Sequence, residues 1–481
     1  MDKKILLIDG HSIINRAFYG VPDLTNSEGL HTNAIYGFLN IFFSAYNNIK
    51  PDYVLVAFDV KQKTFRHEMF DAYKGNRNPM PEELREQVPV LQDVQAAVLD
   101  AIYHPIGTAP INELVKPGMK IAFICNDPTR VANSFDFMPV LVNEMNKLGV
   151  KDEDMKIVFA LGTHRAMSHE EMVAGVGADV AARLPMYNSD CNKPEDFNYF
   201  GQTSSGTPVL INKLICDVDL VILTGTIVHH FFSGYGGGRK AILPGVAAME
   251  TIRKNHSLML KPGAGLGRLH GNPVYEDQME GVRLFAAKHN LFLFNAILND
   301  KHEFVNMFAG DWDLAHQEAC KFVDVVYGGP ISEAADVVIA SCGGYPKDIN
   351  IYQLQKTMDN AVCAVKPGGV VIMLGECEEG SGSAMLEKTF KENPSPEAIK
   401  AKLEENFVIG RHKAFAITRL MQKAKFILVS ALDKELAKTM MFESVDTVEE
   451  ALARAEAIVG KDYKVILMPM GSLTVPILKN K

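Results

Sequence analysis

The stretch from Gly225 to His256 reads GTIVHHFFSGYGGGRKAILPGVAAMETIRKNH and gathers several reactive side chains around one loop. A histidine pair, His229 and His230, leads into Gly234, Gly236, Gly237 and Gly238; Lys240 follows, and His256 closes the stretch. Glycines let the backbone approach a bulky polar ligand, and their amides can cradle a phosphate. A lysine beside them can pair with that phosphate or attack the ligand covalently. Imidazoles on either side can move protons or bind a metal. The combination points to a cofactor site rather than a packing solution. GGGRK alone is a weak glycine match and lacks the GKS or GKT ending of a nucleotide triphosphatase.

Other candidates lie just past apolar runs. His164, in LGTHRAMSHEEM, sits on a strand-to-helix loop, with Ser168 and Glu171 spaced as a capping box that opens a helix. On residue type alone, a catalytic histidine and a surface histidine bonded to nearby backbone weigh about equally. Asp127 and Arg130, in NDPTR, follow KIAFIC. Arg130 can bind a carboxylate bidentately and Asp127 can orient a histidine or a hydroxyl; a plain surface pair is the bland alternative. Gln353 and Lys356, in YQLQK, fall one helical turn apart on one face, as solvated helix residues also would.

The elements that must carry these residues alternate between apolar β-type runs and helical patterns. KKILLID, YVLVAFD, KIAFICND, KIVFALG, DLVILTG, ADVVIASC, GGVVIMLG, KFILVS and YKVILMP read as strands buried on both faces of parallel sheets, giving an α/β class. Ligands gather at the carboxyl ends of such strands, where these candidates fall. The chain has 481 residues, 47% of them hydrophobic, and a net charge of -9, which argues against a general electrostatic grip on nucleic acid. No apolar run is long enough to span a bilayer, and MDKKILLIDG reads as a first strand rather than a signal peptide. The seven cysteines form no CxxC pair, which disfavours a thiolate zinc cage and fits a reducing cytoplasm.

Two resemblances divide the chain. Residues 1–94 resemble the start of the 5′–3′ exonuclease domain of bacterial DNA polymerases of the polymerase I type, in LLIDGHSIINRAFYG, VLVAFDVKQKTFRHEMFDAYKGNR and MPEELREQVPVLQDV. The resemblance implies a PIN-like α/β fragment. In it Asp9 and Asp59 match magnesium-binding carboxylates, and Arg66, Lys74 and Arg77 match residues that approach DNA. Two-metal hydrolysis needs further carboxylates. Nothing after Val94 matches that family's later acidic helix or turn; DEDM (152–155) and DVDL (217–220) lack its context. The expectation is a truncated fragment with a vestigial magnesium site. Magnesium and DNA enter only if it is active.

Residues 96–481 resemble the nickel-dependent lactate racemase family with its LarA-like fold. The motifs are HPIGTAPINELVKPGMKIAFICNDPTR, LGTHRAMSHEEM, HHFFSGYGGGRKAILPGV, NHSLM, GNPVYED, CGGYPKDINIYQLQK and VILMPMGSLTVP. This implies two α/β domains with mainly parallel sheets. Residues 96–330 would hold the cofactor, without the family's β-rich lead-in segment. Residues 331–481 would follow, the last strand returning to the catalytic domain.

The resemblance further implies His164 and His230 as acid/base groups, with His229 the weaker candidate for the second place. It places Lys240 as the covalent anchor of a nickel-pincer nucleotide, a sulfur-bearing pyridinium mononucleotide, and His256 as the nickel ligand. Gly236, Gly237, Gly238 and Asp127 would contact the cofactor; Gly237 stands where the family often has serine. Arg130, Gln353 and Lys356 would contact the substrate. The implied activity is racemisation or epimerisation of a lactate-like 2-hydroxy acid by reversible hydride transfer, with cofactor-making enzymes as partners. The alternatives are a flap-type DNA-binding nuclease fragment, or a fusion left inactive by loss of the lead-in segment.

Overall fold

In a computed structural model, the residues described are 5–9, 13, 33–50, 53–57, 93–299 and 301–478. The chain divides into two compact units, Met1–Val90 and Leu91–Lys481. In the first, β1 (Ile5–Asp9) pairs in parallel with β2 (Tyr53–Ala57), and α1 (Asn33–Ile49) lies between them in sequence. Asp9 ends β1. The Asp9 side chain and the whole of Asp59, Arg66, Lys74 and Arg77 lie outside the described residues.

The second unit opens with α2 (Val94–Tyr103). Its strands then run, in chain order, β3 (Ile121–Asn126), β4 (Met155–Ala160), β5 (Met186–Asn188), β6 (Phe197–Gln202), β7 (Pro208–Asn212), β8 (Leu220–Thr226), β9 (His229–His230), β10 (Ser233–Tyr235), β11 (Gly265–Leu266), β12 (Asn290–Leu298) and β13 (Phe304–Gly310). Six of them form one sheet in the order β13-β12-β8-β3-β4-β5, parallel except at β13. Side chains alternate across a strand, so β3 sends Ile121, Phe123 and Cys125 to one face and Ala122 and Ile124 to the other. Each set joins its own apolar core, because helices cover both faces. The principal helices here are α3 (Ser134–Lys147), α4 (His169–Val176), α5 (Met249–Ser257), α6 (Pro273–Ala286) and α7 (Leu314–Tyr327). The capping box read from the sequence is present at α4: Ser168 Oγ accepts from the Glu171 amide, and the Glu171 carboxylate accepts from the Ser168 amide.

The remaining strands are β14 (Gly328–Ile331), β15 (Ala335–Ser341), β16 (Val365–Leu374), β17 (Lys425–Val429), β18 (Glu443–Val445), β19 (Val465–Met468) and β20 (Val475–Leu478). Five form a wholly parallel sheet in the order β18-β17-β16-β15-β19. Helices α8 (Ile351–Ala361) and α9 (His412–Met421) pack on it through Leu354, Met358, Phe415 and Ile417. Strand β20 turns back to pair in parallel with β14, where the second sheet's domain begins. The expected α/β architecture with mainly parallel sheets is therefore present. All seven cysteines are free thiols. Among the described residues, no helix is long and apolar enough to cross a membrane.

Candidate active site

Strand β9 consists of the histidine pair alone, paired antiparallel to β10. Successive side chains on a strand point to opposite faces, so the two histidines serve different surroundings. His229 turns away: its Nε2 lies 2.8 Å from Asp324 Oδ1, and its ring packs 5.0 Å from that of Tyr235. The Tyr235 hydroxyl donates to the same Asp324 oxygen at 2.7 Å, so one carboxylate clamps both strands of the hairpin. His230 turns to the Phe232 ring, 4.6 Å away and edge-on. Burial, followed by the charges of Lys240, Arg130, His256 and Lys413, holds the His230 imidazole well below its ordinary pKa. That shift favours the neutral imidazole.

Lys240 emerges from a single 3₁₀ turn, Gly238–Ala241. Its Nζ donates to Ser233 Oγ at 3.2 Å and sits 5.9 Å from the Phe232 ring centre. Burial, then the neighbouring Arg130 and Arg239, push its amine well below the usual lysine range, toward the neutral, nucleophilic form. The glycines explain how the turn is reached. Gly237 and Gly238 adopt φ of +68° and +53°. A Cβ on Gly238 would lie 2.5 Å from the His316 ring, and one on Gly237 would lie 2.6 Å from Asn295 Oδ1. The Gly238 amide donates to Asn295 Oδ1 at 2.8 Å, and the Gly236 amide to the Val228 carbonyl at 2.7 Å. These two amides are engaged within the protein, so close packing on Asn295 and His316 is what the cluster visibly accomplishes.

His256, near the end of α5, meets the other side of Phe232 at 5.0 Å, edge to ring. Its Nδ1 is buried and has no hydrogen-bond partner among the described residues. Burial, then His412 and Lys240, lower its pKa well below the ordinary value and outweigh a backbone contact with Ile252 that raises it, favouring the neutral ring. Lys240, His230 and His256 thus surround one aromatic ring.

His164 follows β4 on a tight turn, its amide bonded to the Leu161 carbonyl at 2.9 Å. Its Nδ1 lies 3.1 Å from Asp127 Oδ2. Burial raises the Asp127 carboxyl, but hydrogen bonds from His164 and from the Thr129 hydroxyl and amide outweigh it and hold the group at about 2. Asp127 is therefore a fixed anion that orients the His164 ring. Arg130 lies beside it, its Nη1 donating to Thr129 Oγ1 at 3.0 Å. Gln353 and Lys356 stand exposed on the first two turns of α8. Although its side chain reaches solvent, partial desolvation, then the charges of Arg130 and Lys347, lower the Lys356 amine.

Several residues here carry no sequence signal. Lys413, on α9, lies between the Phe231 and Tyr352 rings, 4.8 and 4.6 Å from their centres. It donates to Gln355 Oε1, and Gln355 Nε2 donates to Asp359. Burial lowers the Lys413 amine and raises the Asp359 carboxyl, each opposed by the charge of the other. His412 adds an imidazole 6.3 Å from Phe232.

Comparison with known proteins gives this geometry a family. Residues 76–267 match the lactate racemase N-terminal domain and residues 331–475 the lactate racemase C-terminal domain. A lactate racemase from Thermoanaerobacterium thermosaccharolyticum is 35% identical over 379 residues, covering 77% of this chain and 88% of the relative. The chain belongs to the lactate racemase family. The solved lactate racemase apoprotein of the same organism superposes with a TM-score of 0.73 at 34% identity, covering 80% of this chain and 92% of that one. The family's match leaves the first unit largely aside. Residues 4–105 match the N-terminal resolvase-like domain of 5′–3′ exonucleases. The DNA polymerase I of Bacillus caldotenax is 47% identical over 97 residues, which is 20% of this chain and 11% of the polymerase.

Proposed function

We propose that the chain is a racemase or epimerase of a 2-hydroxy acid, lactate or a close analogue, working with a nickel-pincer nucleotide tethered to Lys240. The observation that carries this reading is the convergence of Lys240, His256 and His230 on the Phe232 ring. The residues present suit the group: Lys240 offers a buried amine shifted toward its nucleophilic form for the tether, and the His256 Nδ1 offers a nickel ligand that sulfur donors can complement. When bound, the nucleotide supplies the carbon that accepts and returns a hydride.

Protein side chains do the remaining work. Arg130 and Lys356, from the two walls of the cleft, hold the substrate carboxylate, with Gln353 beside them. His230 and His164 take and return the proton at the substrate hydroxyl oxygen, one for each enantiomer. Asp127 keeps the His164 ring turned with its Nδ1 inward, leaving Nε2 for this exchange. Residues 96–330 and 331–481 are the two domains of this enzyme, and cytoplasmic cofactor-making enzymes are its partners.

The test is intact mass and nickel content after co-production with those enzymes. A mass adduct and bound nickel are expected in the wild type, with both lost in Lys240→Ala; an adduct persisting in that variant would refute the assignment.

The likeness of residues 4–105 to exonucleases supports a second reading, in which residues 1–94 bind DNA with magnesium at Asp9 and Asp59. It ranks below the first because the sequence lacks the later carboxylates that two-metal cleavage requires.

A further inference from the structure

Beneath the site, a buried chain of hydrogen bonds joins two charges that never meet. Arg239 Nε donates to Gln278 Oε1 at 3.1 Å. Gln278 Nε2 donates to Asn255 Oδ1 at 3.1 Å, and Asn255 Nδ2 donates to Asp277 Oδ2 at 2.8 Å. Thr203 and Thr207 donate their hydroxyls to Asp277 at 2.5 and 2.9 Å, and complete the far end. Every link runs the same way, donor to acceptor, from guanidinium to carboxylate. All four members are at most 2% exposed. Among the described residues, Arg239 forms no ion pair with a carboxylate and Asp277 none with a cation, so each charge is satisfied by neutral partners, of which the amides between them are the shared ones.

Burying such groups is costly unless every polar atom is satisfied, and an apolar core would serve stability as well. What the chain secures is geometry. Arg239 precedes Lys240 in its turn, and Asn255 precedes His256 on α5. Gln278, on α6, hydrogen-bonds to both Arg239 and Asn255. Arg239 Nη2 also donates to the Ser233 and Tyr235 carbonyls, at 2.7 and 3.2 Å, and so holds the strand from which Lys240 takes its Ser233 contact.

We propose that Gln278 is a positioning residue whose amide sets the separation between the Lys240 turn and the His256 helix. A group tethered at the first thereby presents its metal to the second. This rests on the roles assigned above to Lys240 and His256.

The experiment compares the wild type with Gln278→Leu and Gln278→Glu, each co-produced with the cofactor-making enzymes. The tether is read by intact mass and nickel retention by dialysis against a competing chelator. Gln278→Glu keeps an acceptor for Arg239 and loses the donor to Asn255, so it guards against a leucine variant that fails to fold. The expected result is a full mass adduct in both variants, with nickel affinity down about 10- to 100-fold, as for other partners just beyond a metal ligand. Adding Asn255→Ala to Gln278→Leu should lose little more nickel, since both cut one chain. Unchanged nickel retention would overturn the proposal, as would adduct and nickel falling together in step with the melting temperature. A wild type that takes neither adduct nor nickel removes the assigned function itself, a pattern distinct from either.

Discussion

Of the imidazoles around the site, burial leaves several unable to carry charge, and this predicts a signature in acid. His412 is held at about 4 and His316 at about 3, each by burial first and a neighbouring cation second. Unfolded histidine titrates near about 6.5, so below that pH the unfolded chain binds protons that the folded chain refuses. The stability these groups permit is whole above about pH 6.5. Each then subtracts up to about 1.4 kcal/mol per pH unit as pH falls toward its folded value. His412 packs among Phe231, Phe232 and Phe407, so His412→Phe preserves the shape and removes one titrating group. The midpoint of urea unfolding should fall less steeply between pH 6.5 and 4.5 in this variant than in wild type. Equal slopes would show that His412 charges freely in the folded protein.

At the scale of elements, the apolar runs were legible because strands buried on both faces are nearly continuous in Val, Ile and Leu. ILLID, IAFICN, LVILTGT and ADVVIAS all became strands. Motif neighbours were legible too: the loop that bears Lys240 and the helix that bears His256 are close in sequence and meet at Phe232. Illegible were groups joined over distance, such as Lys413 with Gln355, 58 residues apart, or Asp324 with His229, 95 apart. No periodicity encodes such pairs; only the packing of one element on another creates them. The glycine cluster was legible as a special loop, yet its neighbours Asn295 and His316 were not. Their closeness yields a prediction. Gly238→Ala places a methyl against the His316 ring at a φ that non-glycine residues avoid, and should destabilise by at least about 1–2 kcal/mol. Chemical denaturation measures it; a variant as stable as wild type would show that the turn relaxes without cost.

For the whole molecule, two lineages share one chain, and they make separable demands. The lactate racemase likeness spans most of the chain and both walls of the cleft, whereas the polymerase likeness covers 11% of its relative. Incubation of the full chain with a flapped DNA and magnesium should therefore give no cleavage above background. Cleavage abolished by Asp9→Ala would instead establish the first unit as a working nuclease.

Arg419, on α9, donates from Nη1 to the Ala264 carbonyl at 3.1 Å and from Nη2 to the Phe231 carbonyl at 3.4 Å. It ties α9 to Ala264 and to the segment that follows His230, so any displacement of α9 from them must break both hydrogen bonds.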